Sequence, residues 1–336
     1  MRNDILAHAL IHQGMTDEEV KRLVRGISEA TGFKVGGELI EFDRRMIYER
    51  AKTWRVRIAG EFSGRPAILC IENLKLTIDE EPIRQSFRTQ VEMNQGRIRP
   101  PHTYVHSAFD EAKGYGWSIE ELVGAPVLFK PEEPPEFAAR PFCAFYMELR
   151  RAVPHAFWPG EVEDERSFTA SQLLKWENLS KEKFPTQIRR FAKVLAELKS
   201  SLLGARLNAF RFQHAHLSGT DIRDVTRDQH VVFANHFWDW RQEAYDVAFP
   251  IWGQWLALPD NHRTAEHVAH ITDTWLSEIR RSLKNLINED DLLLMLLNRI
   301  YGSLLLDIPA QREHRSGRSI LALEKALIAE ARRLLR

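Results

Sequence analysis

His214-Ala215-His216-Leu217-Ser218-Gly219-Thr220-Asp221-Ile222 is the most informative segment of this chain. It follows an apolar strand signal, Phe210-Arg211-Phe212. Fourteen residues beyond Asp221 stands Asn235, inside Val231-Val232-Phe233-Ala234-Asn235-His236-Phe237. Eleven further on stands Asp246, inside Tyr245-Asp246-Val247-Ala248. Imidazoles, carboxylates and an amide therefore gather in one strand-and-loop segment, 210–248. Those are the side chains that move protons and hold metals.

Outward from this segment the two halves of the chain differ. On the amino-terminal side, Thr16-Asp17-Glu18-Glu19 is a capping box opening a helix with Val20, Leu23, Val24 and Ile27 at helical spacing, and Gly36-Gly37 breaks that pattern. From Trp54 to Phe62 apolar and polar residues alternate as in a half-buried strand. A turn at Ser63-Gly64-Arg65-Pro66 and an apolar run, Ala67–Ile71, follow it. Glu80–Gln95 reads as a helix stopped by Pro100-Pro101, and Tyr104–Phe109 with Trp117–Val123 as a second hairpin. Pro131-Glu132-Glu133-Pro134-Pro135 reads as a linker, because proline forbids continued helix. Beyond it, Ser171–Trp176, Thr186–Leu203, His262–Asn288, Leu292–Leu306 and Ile320–Leu335 are amphipathic helices. Strands first and helices later exclude the alternating rhythm of a doubly wound sheet.

Composition bounds the function. The 47 basic and 47 acidic residues cancel, which excludes a bulk electrostatic grip on nucleic acid or anionic lipid. Two cysteines, Cys70 and Cys143, cannot build a disulfide framework and read as buried thiols of a reducing compartment. No signal-peptide pattern opens the chain, and its most apolar run, Leu292–Leu297, is far short of the roughly 20 residues a membrane span needs. The expectation is a soluble, cytoplasmic protein with no nucleic-acid or membrane partner.

The segment 210–248 resembles the aminoglycoside phosphotransferase and choline kinase family, a branch of the protein-kinase-like fold. That family carries His-Gly-Asp-Leu-x-x-x-Asn, a strand pair ending in Asp, and a helix opening on Asp-Leu-Ala. Glu120-Glu121-Leu122-Val123-Gly124-Ala125-Pro126-Val127 is similar to its crossing between lobes, Glu-x-Leu-x-Gly-x-Pro-Leu. The likeness extends from about 16 to 260 and implies an α+β bilobal fold. A small antiparallel-sheet N-lobe occupies 1–128, and a mainly helical C-lobe occupies 129–336.

By the same resemblance, His216 takes the place of the catalytic Asp that accepts the substrate's proton. Asp221 and Asn235 take the two metal positions with their types exchanged, or Asp239-Trp240 supplies the later one. Cys70, Glu120 and Leu122 fall at cofactor-binding positions, with Cys70 or Glu72 where a phosphate-pairing lysine belongs, since no basic residue occurs from Pro66 through Leu74. The segment Asp43–Tyr48 contains no phosphate-covering glycine. His214 and Asp246 match architectural residues and are retained. Scaffold kept and chemistry altered imply a pseudokinase that binds an unknown small molecule or protein without a cofactor. The alternative is a divergent kinase phosphorylating a hydroxyl with ATP and Mg²⁺.

Other patterns have simpler readings. His214, His216, His236 and Asp221 could ligate zinc, but scattered histidines are commonly structural. Trp238, Trp240, Trp252 and Trp255 read as aromatic core rather than a stacking platform. Arg189, Arg190 and Lys193 read as a solvated helix face, and Ile320, Leu323, Leu327 and Leu334 as a core-facing stripe.

Overall fold

The computed structural model describes residues 17–42, 55–72, 81–124, 128–152, 165–205, 212–214, 226, 240–242, 244–311 and 315–336. The chain divides into two units, one of Met1–Arg88 with Arg99–Gly124 and one of Thr89–Ile98 with Ala125–Arg336.

The first 124 residues contain α1 (Asp17–Thr31), β1 (Lys34–Phe42), β2 (Arg55–Phe62), β3 (Arg65–Glu72), α2 (Glu81–Met93), β4 (Thr103–Asp110) and β5 (Tyr115–Glu121). All five strands form one antiparallel sheet in the order β1-β2-β3-β5-β4. The β2–β3 hairpin turns on Ser63 and Gly64, both at positive φ (51° and 74°), where two-residue turns match the twist of their strands. Its ladder runs unbroken from Arg55↔Glu72 to Phe62↔Arg65. The β4–β5 turn is closed by Asp110, whose carboxylate accepts from the Ala112 N–H at 2.9 Å.

One face of this sheet packs against α1. Val20, Val24 and Ile27 meet Val56, Ala67, Leu69, Ile71 and Ile119, each less than one-tenth exposed. Side chains alternate along a strand, so Arg57 on β2, Cys70 and Glu72 on β3, and Ser118 and Glu120 on β5 share the opposite face. The helical stripe expected in α1 is therefore the one that is buried. Gly36-Gly37, however, does more than follow that helix. α1 already ends at Gly32 (φ 80°), whose N–H bonds the Ser28 carbonyl.

The pair 36–37 lies inside β1, which the sequence pattern did not disclose. Close strand contact explains the glycine at position 36. A Cβ there would lie 3.1 Å from the Ala59 carbonyl oxygen, and one at Gly60 would lie 2.2 Å from the Lys34 carbonyl oxygen. Gly60→Ala is expected to destabilise the protein by about 1–3 kcal/mol in urea denaturation, as overpacking does. Gly26→Ala, in α1 with nothing within 4 Å of the added carbon, should stabilise it by about 0.5–1 kcal/mol. Equal effects of the two would show that β1 and β2 separate freely.

The second unit contains α3 (Pro135–Ala152), α4 (Glu165–Lys183), α5 (Thr186–Arg190), α6 (Ala192–Gly204), β6 (Phe212–His214), β7 (Trp240–Gln242), α7 (Tyr245–Ala257), α8 (Ala265–Ser282), a continuous helix α9 (Glu289–Ala310) and α10 (Gly317–Leu334). The expected proline linker is a turn followed by the start of α3. Pro135 occupies its first position, where a missing N–H costs nothing and φ is already helical. Glu136 in the first turn and Arg150 and Arg151 in the last complement the helix dipole.

Thr264 caps α8, Asn288 caps α9 and Ser316 caps α10, each accepting from an N–H three residues on. The helix expected over 262–288 is shorter than that span: it starts after Thr264, ends at Ser282, and Asn288 caps the next helix. Trp275, fully buried, anchors the core: its ring lies 5.8 Å from Phe129 and 5.5 Å from Phe142, and its N–H donates to Gln254 at 2.7 Å. Ile320, Leu323 and Leu327 of α10 are buried as their stripe predicts. Among the described residues one helix, α9, is long and apolar enough to cross a membrane, and 83% of its apolar window is buried inside the protein. It is a core helix.

Candidate functional site

β3 is the centre of the first unit's sheet and carries the position where the resemblance implies a lysine. Cys70, one of the two candidates for that position, is 4% exposed. It is paired with Arg57 on β2 and with Ser118 on β5, whose partner on β4 is His106. The row therefore reads Arg57, Cys70, Ser118, His106 across four strands. Glu72 and Glu120 flank it, 4% and 6% exposed. The Ser118 hydroxyl donates to Glu120 Oε1 at 2.5 Å. Leu122, beyond the end of β5, donates its N–H to the Pro66 carbonyl at 3.3 Å. Strand alternation thus gathers Cys70, Glu72, Ser118 and Glu120 on one face, and that face is acidic on β3 and β5.

In the second unit, β6 and β7 pair antiparallel with Phe212 opposite Gln242 and His214 opposite Trp240. The segment between them begins and ends on this one ladder. α7 opens three residues later, with Asp246 in its first turn. Asp246 is 1% exposed, and its Oδ2 accepts from Arg150 Nη2 at 3.0 Å. Arg150 also donates from Nε to the Tyr146 hydroxyl at 3.0 Å, and its guanidinium lies 4.9 Å from that ring's centre. A buried ion pair thus joins α3 to α7.

Sequence reasoning singled out Asp246 but missed Arg150. The signal was present: Arg150 follows Phe142 and Tyr146 at helical spacing on the apolar stripe of α3. A cation on a buried stripe implies a carboxylate elsewhere.

His216, Asp221 and Asn235, with His236 and Asp239, lie outside the described residues. His214 is in β6, opposite Trp240. Among the described residues no group of three or more His, Cys, Asp or Glu could hold a metal ion. Trp255 is fully buried, and Trp252 lies under the Arg299 guanidinium at 4.2 Å while donating to Ser303. Trp255 is a core residue, and Trp252, also in α7, is half-buried.

A five-stranded antiparallel sheet region followed by a mainly helical region, with the ladder and Asp246 set between helices, defines a protein-kinase-like fold of the aminoglycoside phosphotransferase type. The solved structure of aminoglycoside phosphotransferase APH(4)-Ia matches with a TM-score of 0.56 at 11% identity, covering 92% of this chain and 99% of that one. A thermostable mutant of the same enzyme, in ternary complex with AMP-PNP and hygromycin B, matches with a TM-score of 0.56 at 12% identity, covering 91% and 98%. At such identities the likeness is one of fold. No family model matches the sequence, and no curated protein matches it.

Proposed function

We propose that the protein is a pseudokinase of the aminoglycoside phosphotransferase type, acting in the cytoplasm as a binding or scaffold protein for a small molecule or another protein. The carrying observation is the face of β3. Phosphoryl transfer depends on neutralising phosphate charge, and this face presents Cys70 and Glu72 where a cation is needed, with Glu120 beside them. Two carboxylates repel a polyphosphate, and magnesium bridging would require metal positions whose types are exchanged. No cofactor is needed in this reading. Calorimetric titration with ATP is expected to give weak or no binding, unchanged by magnesium, and no turnover. Tight, magnesium-dependent binding would overturn it.

One observation favours a second reading, a divergent ATP- and Mg²⁺-dependent kinase acting on a hydroxyl. Arg57 lies directly opposite Cys70 and on the same face. Side chains so paired have Cβ atoms about 4.5–5.5 Å apart, so a guanidinium from β2 can reach the place a β3 lysine would fill. If ATP binds, Arg57→Ala should weaken it by about tenfold or more, and Arg57→Lys should restore part of the loss.

A further inference from the structure

A cavity of about 370 Å³ opens beside the start of α10, lined by Arg190, Arg315, Gly317, Ile320, Leu321 and Glu324. It lies within the second unit and shares no residue with the sheet face or the 210–248 segment. Its floor is apolar. Ile320 is buried, while Leu321 is 40% exposed and offers aliphatic surface beside the arginines. Gly317 opens onto empty space, with nothing within 4 Å of where a Cβ would sit.

Both arginines are held in place from behind. Arg190 forks onto Glu324 at 3.0 and 2.5 Å and lies 4.8 Å over the Phe191 ring. Glu324 is 1% exposed and Arg190 38%. A fork uses two of a guanidinium's five N–H donors, so the exposed edge keeps donors for a further acceptor. Arg315 donates to Asp260 Oδ1 at 2.9 Å, and the same oxygen accepts from the Ser319 hydroxyl at 2.6 Å. Cations fixed in this way bind an anion without first losing side-chain freedom.

Among the described residues the local charge does not cancel. Arg263, 2% exposed, stands 4.0 Å from Asp260, so two guanidinium groups share one carboxylate. Its other hydrogen bonds go to neutral groups: the Leu256, Leu258 and Ser319 carbonyls and the Gln311 amide. Burial, and next the charge of Arg315, bring the Arg263 pKa down to about 10 against the opposing pull of Asp260. The neighbouring Arg189 and Arg318 are exposed and add to the surplus. A positive wall over an aliphatic floor, at the scale of a small-ligand pocket, suits one chemistry.

We propose that this cavity binds a carboxylate carried on a short aliphatic body, the anion on Arg190 and Arg315 and the aliphatic part on Ile320 and Leu321. A free fatty carboxylate and the carboxyl terminus of a peptide ending in leucine share that chemistry. The full-length protein is titrated calorimetrically with octanoate, octylamine, and a leucine-ending pentapeptide as acid or amide. Octanoate, the peptide acid or both should bind, and octylamine and the peptide amide should not. Octanoate alone identifies the fatty carboxylate as the source, and the peptide acid alone identifies a chain terminus. Arg315→Ala should weaken the binding acid by at least about tenfold, and Leu321→Asp should remove binding. Both positions are partly exposed, so melting temperatures near the parent's are expected. Equal binding of octylamine, an affinity unchanged in both variants, or no heat from either acid at millimolar concentration would overturn the proposal.

Discussion

Asp246→Ala is expected to cost about 3–5 kcal/mol of stability, the scale for removing one partner of a buried pair. Arg150 and Asp246 are 6% and 1% exposed by side chain and meet at 3.0 Å. Without the carboxylate, the Arg150 guanidinium would keep its charge where little water reaches it. Arg150 also bonds the Tyr146 hydroxyl and lies against that ring, and both of those groups are neutral. Asp246→Asn, which keeps an acceptor and loses the charge, should fall between parent and alanine variant. Combining Asp246→Ala with Arg150→Met should recover much of the loss, because an apolar replacement of a buried pair is often neutral. Urea denaturation of the four proteins is the measurement. An alanine variant within about 1 kcal/mol of the parent would show the pair to be solvated in solution.

The second large effect is a gain. Replacing His216 by Asp, Asp221 by Asn, Asn235 by Asp and Cys70 by Lys together is expected to raise magnesium-dependent ATP turnover from the assay background to a measurable rate. A positioned general base contributes roughly 10²–10⁴-fold. Magnesium bound with substrate phosphates usually needs one or two carboxylates, and a cation beside the phosphates addresses the charge that dominates this chemistry. Steady-state release of ADP is the readout, with the same four positions restored one at a time as controls. Substantial turnover by the unmodified chain would make His216 and Asp221 a working alternative site and end the pseudokinase reading. A folded quadruple variant that stays silent would mean that further differences hold the protein inactive.

Local pattern carried a good part of the architecture. The α1 stripe of Val20, Leu23, Val24 and Ile27, the Ser63-Gly64 turn and the α10 stripe are all decided by neighbours a few residues apart. Such preferences are written directly into sequence. The spacing from His214 through Asn235 to Asp246 carried the resemblance, and the fold agrees with it. Where the local pattern misled, another local rule was at work. Proline both ends helices and begins them, so Pro131–Pro135 read as a linker although Pro135 starts α3. Glycine both breaks helices and permits close strands, so Gly36-Gly37 hid β1.

By itself, then, the sequence determined the helical and strand periodicities, the order of a sheet region before a helical one, and the absence of any basic residue from Pro66 through Leu74. The tertiary structure alone decided which distant side chains meet. Arg150 and Asp246 are 96 residues apart, and Arg190 and Glu324 are 134. Arg57 reaches the row of Cys70, Ser118 and His106 only through the register of three ladders. The physical reason is the range of the forces involved. Backbone hydrogen bonding and side-chain alternation act within a few residues and leave a period in the sequence. Ion pairing and burial act through space after the chain has closed its loops, and they leave only isolated residues out of pattern, such as the arginine on the buried stripe of α3.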